Sequence, residues 1–88
     1  MTFRITKKYD ESGTLLRIDG ELTSEGLGEL GRVCEEATKP LRVSASNLSV
    51  TDDPVVEAFR QMMRDGVKFE GVSPYLSIRL FDQNINNN

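Results

Sequence analysis

Apolar and polar residues alternate at the start of the chain, where Arg4 separates Phe3 from Ile5. A period of two is typical of a strand with one buried face. A turn cluster at 10–13 and a β-rich run at 15–18 follow, so the first two strands are predicted to form a hairpin. Asp19-Gly20 predicts the next turn.

The apolar spacing then changes to the helical period, at Leu27, Leu30, Cys34 and Ala37. Thr23 or Ser24 is the expected N-cap of this first helix, and Lys39-Pro40 is its expected end. Glycines at 26, 28 and 31 are unusual in a helix. Either they allow a close approach of the sheet or a partner, or the helix begins late, near Leu27.

A short strand is predicted at 41–45 and a loop at 46–52, before a second helix with a well-marked start. Pro54 suits the first helical position and Asp53 suits the N-cap. The helix has its apolar face at Val55, Val56, Phe59, Met62 and Met63. Asp65-Gly66 is expected to end it, a strand is expected at 67–72, and Ser73-Pro74 is expected to open a last helix.

These elements predict an α/β fold with a small mixed β-sheet. The two strand–helix–strand units favour parallel pairing with right-handed crossovers, and the opening hairpin adds an antiparallel edge. The helices are expected to pack on this sheet. We expect one domain over residues 1–82 and a disordered polar tail at 83–88.

Composition narrows the class of protein. The chain has 88 residues, 38% of them hydrophobic, which is enough for one modest core. A net charge of −3 and scattered lysines argue against nucleic acid as a partner. The single cysteine, Cys34, needs no oxidising compartment, and no window approaches a membrane span or a signal peptide, so we expect a cytoplasmic protein without membrane insertion.

Few residues are suited to catalysis or to cofactor binding. The chain has no histidine, which is the commonest acid–base residue and a common metal ligand. Asp52 and Asp53 are adjacent carboxylates at a helix start, where capping and solvation are their usual roles. No glycine-rich phosphate loop follows a strand. We therefore expect no enzyme activity, no metal and no cofactor.

Two stretches, LLRIDGELTS and LRVSASNLSVTDDPVVEAFRQMMRDGVKFEGVSPYL, occur in an order and spacing that resemble the STAS domain family of anti-sigma-factor antagonists. The resemblance covers most of residues 14–80. It implies a STAS-like fold and a non-enzymatic regulatory module that docks on an anti-sigma factor or a kinase-like partner. It also leaves open an accessory subunit that binds a membrane transport ATPase on its cytoplasmic side.

In that family a Ser or Thr in the loop before the second helix is phosphorylated. Matching the loop residue by residue places the family's aspartate on Asp52, its phosphorylated residue on Asp53 and its glycine on Val55, with Pro54 between them. Asp53 is not a substrate for a serine kinase, and Val55 disfavours the positive φ that glycine allows. The resemblance implies a partner-docking loop without this switch, formed by Ser49, Thr51, Asp52, Asp53, Pro54 and Val55.

The loop residues leave two questions open. Asp53 either caps the second helix or provides a fixed negative charge that imitates a phosphoserine incompletely. Ser49 and Thr51 are either alternative phosphorylation sites or residues whose hydroxyls bond the backbone of a turn.

Overall fold

The computed structural model describes residues 2–81 of the chain. Its strands are β1 (Phe3–Asp10), β2 (Gly13–Glu21), β3 (Leu41–Val50) and β4 (Lys68–Val72). Its helices are α1 (Leu27–Glu36), α2 (Asp53–Arg64) and α3 (Pro74–Phe81), and a 3₁₀ turn at Ser24–Gly26 precedes α1. The predicted order of elements is confirmed. The predicted domain boundary at 82 and the tail at 83–88 lie outside the described residues.

The four strands form one mixed sheet in the order β1-β2-β3-β4. β1 pairs antiparallel with β2, whereas β2–β3 and β3–β4 are parallel pairs. The predicted α/β fold with a mixed sheet is therefore confirmed. Because both crossovers advance in the same direction along the sheet and such connections are right-handed, α1 and α2 lie on the same face. No helix within residues 2–81 covers the other face, which we call the open face.

The core lies between the covered face of the sheet and the three helices. Strand residues on this face alternate with residues on the open face, as the buried Leu16 and Ile18 show. Phe59 of α2 is fully buried, and its ring meets that of Phe69 edge to face with 5.2 Å between centroids. Aromatic pairs of this geometry add to the stabilisation from buried area. The remaining core side chains include Leu30, Val33, Val43, Ala45, Val55, Leu76 and Leu80.

The predicted turn at Asp19-Gly20 is wrong, because β2 runs through both residues to Glu21. Gly20 has φ +93 and lies opposite Leu48 of β3, at a point where the register of the pair shifts. A β-bulge of this kind uses the conformational freedom of glycine within a strand. The pair of residues therefore forms an irregularity in the strand and not a turn.

The predicted loop at 46–52 is also wrong over most of its length. β3 continues to Val50, with Asn47 opposite Asp19 and Leu48 opposite Gly20 on β2. Only Thr51 and Asp52 connect β3 to α2. Ser46, Asn47 and Ser49 resemble a loop in sequence because they are exposed side chains, and a strand carries polar residues on its solvent side.

Both explanations for the glycines apply to Gly26, and neither applies to Gly28 or Gly31. The helix does begin at Leu27, and a Cβ on Gly26 would lie 2.5 Å from Leu22 Cδ1 and 3.0 Å from the ring of Phe3 on β1, so this glycine permits a close approach to the sheet. A Cβ on Gly28 or Gly31 would meet no atom within 4 Å.

Cys34 is partly buried, and burial raises the pKa of its thiol, as expected for a small apolar residue. None of the helices within residues 2–81 has the length and apolar character needed to cross a membrane.

Candidate functional site

The helical segments all begin at the edge of the sheet where the parallel strands β2, β3 and β4 end. The 3₁₀ turn starts at Ser24 after β2, α2 starts at Asp53 after β3, and α3 starts at Pro74 after β4. In open α/β sheets, ligands bind outside the carboxyl ends of the strands. Five of the six predicted docking residues, from Thr51 to Val55, lie at this edge.

Asp52 is the N-cap of α2 and holds two helical segments together. Its backbone is extended, and its Oδ1 accepts a hydrogen bond of 3.3 Å from the N–H of Val55. Its Oδ2 accepts one of 2.8 Å from the N–H of Ser24, at the start of the 3₁₀ turn. The Ser24 bond is the main cause of the lowered pKa of Asp52; desolvation opposes it, and the Val55 bond adds to it.

The prediction that Asp53 is the N-cap is therefore wrong by one residue. Asp53 is the first residue of α2 and Pro54 is the second. Proline is tolerated at either position, because none of the first four N–H groups of a helix has an intrahelical partner. Asp52 is the N-cap because its carboxylate accepts hydrogen bonds from the N–H of Val55 in α2 and from the N–H of Ser24 in the 3₁₀ turn.

The carboxylate of Asp53 points outward and forms an ion pair with Arg79 of α3. The Asp53 side chain is 92% exposed, and its Oδ1 accepts from Nη2 of Arg79. Nη1 of Arg79 donates to the hydroxyl of Tyr75 at 2.9 Å, and this hydroxyl donates to the carbonyl of Thr51 at 3.2 Å. The network connects α3 to the residues on both sides of Asp52.

Tyr75 is the middle member of this network. Arg79 lies one helical turn after it, and the guanidinium carbon is 5.9 Å from the centre of the phenol ring. Partial burial raises the pKa of the Tyr75 phenol, but the hydrogen bond from the Arg79 guanidinium and its positive charge contribute to a net lowering of this pKa. Tyr75 therefore fixes the guanidinium from one side while Asp53 holds it from the other.

The other predicted docking residues differ in their access to solvent. Ser49 is exposed within β3, and its hydroxyl donates to the carbonyl of Gly20 at 3.1 Å, which is a bond between strands and not within a turn. Thr51 is 6% exposed, and its hydroxyl has no hydrogen-bond partner among residues 2–81. Val55 is fully buried inside α2, where no positive φ is required. Asp53 and Pro54 are the outward-facing residues at the start of α2.

Sequence reasoning missed three contributors to this site, which are Ser24, Tyr75 and Arg79. The spacing of Tyr75 and Arg79 predicts that they share one face of α3. Nothing in the sequence indicates that Arg79 reaches Asp53, because the contact depends on how α3 packs beside α2. The contact of the Ser24 N–H with Asp52 could not be predicted from the sequence either, because almost any residue at that position supplies a backbone N–H.

Both carboxylate oxygens of Asp52 accept from backbone amides, which limits the chemistry of the site. Within the described part of the chain, no group of three His, Cys, Asp or Glu side chains is arranged to hold a metal ion. The groups exposed at this edge of the sheet are the Asp53–Arg79 ion pair, the neighbouring Pro54 and the partly exposed ring of Tyr75. These groups are suited to contact a protein surface.

A scan against protein-family models and a search of the curated proteins return no match for this chain. The likeness to STAS domains therefore stays a prediction from the order and spacing of the sequence motifs, together with a fold of the expected class.

Proposed function

We propose that this chain is a non-enzymatic regulatory module that docks on a protein partner through the start of α2. The observation that carries the proposal is the presentation of Asp53, whose side chain is 92% exposed on a helix start that Asp52 fixes in place. A docking surface held rigidly in its bound form loses little conformational entropy on binding. The STAS-like position of this residue points to the same surface.

The ion pair with Arg79 supports a docking-competent state. A phosphoserine carries between one and two negative charges and three acceptor oxygens, whereas Asp53 carries one carboxylate that Arg79 already offsets. A partner therefore meets a locally neutral pair, which resembles the unphosphorylated form of a STAS switch more closely than the phosphorylated form. We propose constitutive docking without a kinase-operated switch.

The proposal assigns no catalytic role and no cofactor to this site. The carboxylate of Asp52 is engaged by two amides and its pKa is lowered, so it is not a proton donor near neutral pH. We further propose that the protein acts in the cytoplasm, on the charge balance and the single cysteine. Its partner is a protein and neither nucleic acid nor the interior of a membrane.

Affinity capture from the native host tests the docking surface. The wild-type chain, Asp53→Arg and the control Asp65→Arg are compared, since Asp65 is an exposed carboxylate at the other end of α2. We expect wild type and Asp65→Arg to recover the same partner and Asp53→Arg to lose it. Equal recovery with all three chains would show that the start of α2 is not the docking surface.

The identity of the captured protein separates the two classes of partner. An anti-sigma factor or kinase-like protein supports the leading proposal. Subunits of a membrane transport ATPase, recovered from detergent-solubilised membranes, support the alternative of an accessory subunit at the cytoplasmic side. In both cases Asp53→Arg should reduce recovery, because both proposals use the same surface.

A further inference from the structure

The open face of the sheet is a second surface, opposite the helices. On β2, Leu16 and Ile18 are buried under the helices, while Leu15, Arg17 and Asp19 project to the open side. The pairing register places Lys8, Leu15, Arg42 and Lys68 in one row across all four strands. The next row consists of Thr6, Arg17, Ser44 and Gly71.

Basic side chains are in excess on this face, although the whole chain has a net charge of −3. The basic residues are Arg4, Lys8, Arg17, Arg42 and Lys68, and the acidic ones are Asp10, Asp19, Glu21 and Glu70. The negative charge of the molecule is therefore concentrated elsewhere on its surface. This separation favours an anionic partner on the open face.

Three of the four carboxylates on this face are paired. Arg42 lies between two of them, with its Nη2 2.8 Å from Asp10 and its Nη1 3.1 Å from Glu70. Arg17 lies 3.2 Å from Asp19. In the described part of the chain, the remaining cations Arg4, Lys8 and Lys68 have no carboxylate within ion-pair distance.

A groove with a volume of about 540 Å³ runs over β1, β2 and β3 on this face. Its lining includes the cations of Lys8 and Arg17, the hydroxyls of Thr6 and Ser44, the amide of Asn47 and the apolar side chain of Leu15. Cations and hydroxyls are hydrogen-bond donors to carboxylate oxygens. The apolar floor at Leu15 offers contact to the aliphatic part of a side chain.

We propose that the open face binds an extended, acidic segment of a partner protein. Lys8 and Lys68 are separated by three strand spacings, which is about 14 Å, so one small anion does not contact both. In an extended peptide, alternate side chains lie on one side about 7 Å apart. Carboxylates repeating at this spacing match Lys8 and Lys68, and Arg17 lies in the next row, on β2. The proposal does not depend on the docking of α2, which lies on the other side of the sheet.

Amide chemical shifts of the ¹⁵N-labelled full chain test this surface. The probes are acetylated hexaglutamate amide, the matched hexalysine peptide and inorganic phosphate. We expect saturable shifts at Thr6, Arg17 and Ser44 with hexaglutamate alone. Raising NaCl from about 50 to about 500 mM should weaken this binding by about tenfold or more, because exposed charges are screened by salt.

Arg17→Gln and Arg64→Gln form a matched pair of variants. Both arginine side chains are 58% exposed and each lies within ion-pair distance of one carboxylate. We expect Arg17→Gln to raise the Kd for hexaglutamate by about threefold or more, and Arg64→Gln to leave it within about twofold. Should Arg17→Gln perturb the fold, Lys8→Gln alone tests the site, because Lys8 has no ion pair to lose.

Three results would overturn the proposal. Equal shifts with hexalysine would show that the contact does not depend on charge sign. Phosphate that reproduces the hexaglutamate shifts at the same concentration would assign a small-anion site instead of a peptide surface. An equal loss of affinity in Arg64→Gln would show that the net charge of the chain, and not the open face, governs binding.

Discussion

Arg79 of α3 holds the carboxylate of Asp53, a residue 26 positions earlier in the chain, and so offsets the exposed charge at the start of α2. Tyr75 orients the guanidinium, and its hydroxyl bonds the carbonyl of Thr51. The negative charge at the start of α2 is therefore part of an internal pair. This distinguishes Asp53 from a free phosphate mimic, and it makes Arg79 the residue that offsets the charge of Asp53.

Removing Arg79 should separate the effect of charge from that of stability. We expect Arg79→Gln to leave the unfolding free energy within about 1 kcal/mol of wild type, because exposed ion pairs contribute little. The same variant exposes an unpaired carboxylate and should weaken capture of the partner. Calorimetric unfolding and affinity capture measure the two effects. The double variant Asp53→Asn/Arg79→Gln should restore capture, and failure to do so would contradict the role of charge.

The two adjacent aspartates should differ sharply in their effect on stability. Asp52→Ala removes the cap of α2 and the bond to Ser24, so we expect the Tm to fall by about 4–8 °C. Asp53→Ala removes only an exposed ion pair and should change the Tm by less than about 4 °C. Thermal unfolding followed by circular dichroism measures both. Equal losses in the two variants would show that Asp52 is not the structural cap.

Sequence patterns predicted the elements whose ends depend on local chemistry. Ser73-Pro74 opens α3 as expected, with the Ser73 hydroxyl accepting from the N–H of Leu76 at 3.2 Å. Gly66 has φ +98 just after α2, in agreement with the predicted stop. Each of these signals involves residues within three positions of one another, so tertiary packing does not alter them.

The features that sequence patterns missed depend on distant parts of the chain. Asp52 and Asp53 are both acceptable caps by residue type, and the N–H of Ser24, 28 positions away, favours Asp52. The strand at residues 46–50 could not be predicted from the sequence, because its conformation depends on pairing with β2 and its residues do not alternate between apolar and polar. Arg79 joins the site through helix packing alone. The contacts among the candidate site residues therefore could not be predicted from the sequence, and their role in docking stays a prediction.

Acid should destabilise the chain in a way that depends on Asp52. Its pKa is lowered in the folded state, so its stabilising contribution is present above the unfolded pKa of about 3.9 and is lost as pH falls through the lower folded pKa. Asp52→Asn removes this titration and should flatten the fall in stability below about pH 4. Asp10, whose pKa is also lowered, titrates in both chains. Urea unfolding across this range measures the difference, and parallel curves for the two chains would contradict it.

Thr51 tests whether the buried hydroxyl beside the cap has a structural role. The side chain is 6% exposed, and its oxygen has no hydrogen-bond partner among residues 2–81. Replacing the hydroxyl by a methyl group in Thr51→Val removes a buried polar atom, so the unfolding free energy should stay unchanged or rise by up to about 1 kcal/mol.

Thr51→Ala is the control for Thr51→Val, because it removes the hydroxyl and the methyl group together. It should lower the unfolding free energy by about 1 kcal/mol through lost packing. Chemical denaturation of the three chains measures these changes. A loss of more than about 1 kcal/mol in Thr51→Val would show that the hydroxyl bonds a partner in the folded protein. The burial also predicts that Thr51 is not phosphorylated in the folded chain, which intact-mass measurement after incubation with a host lysate and ATP would check.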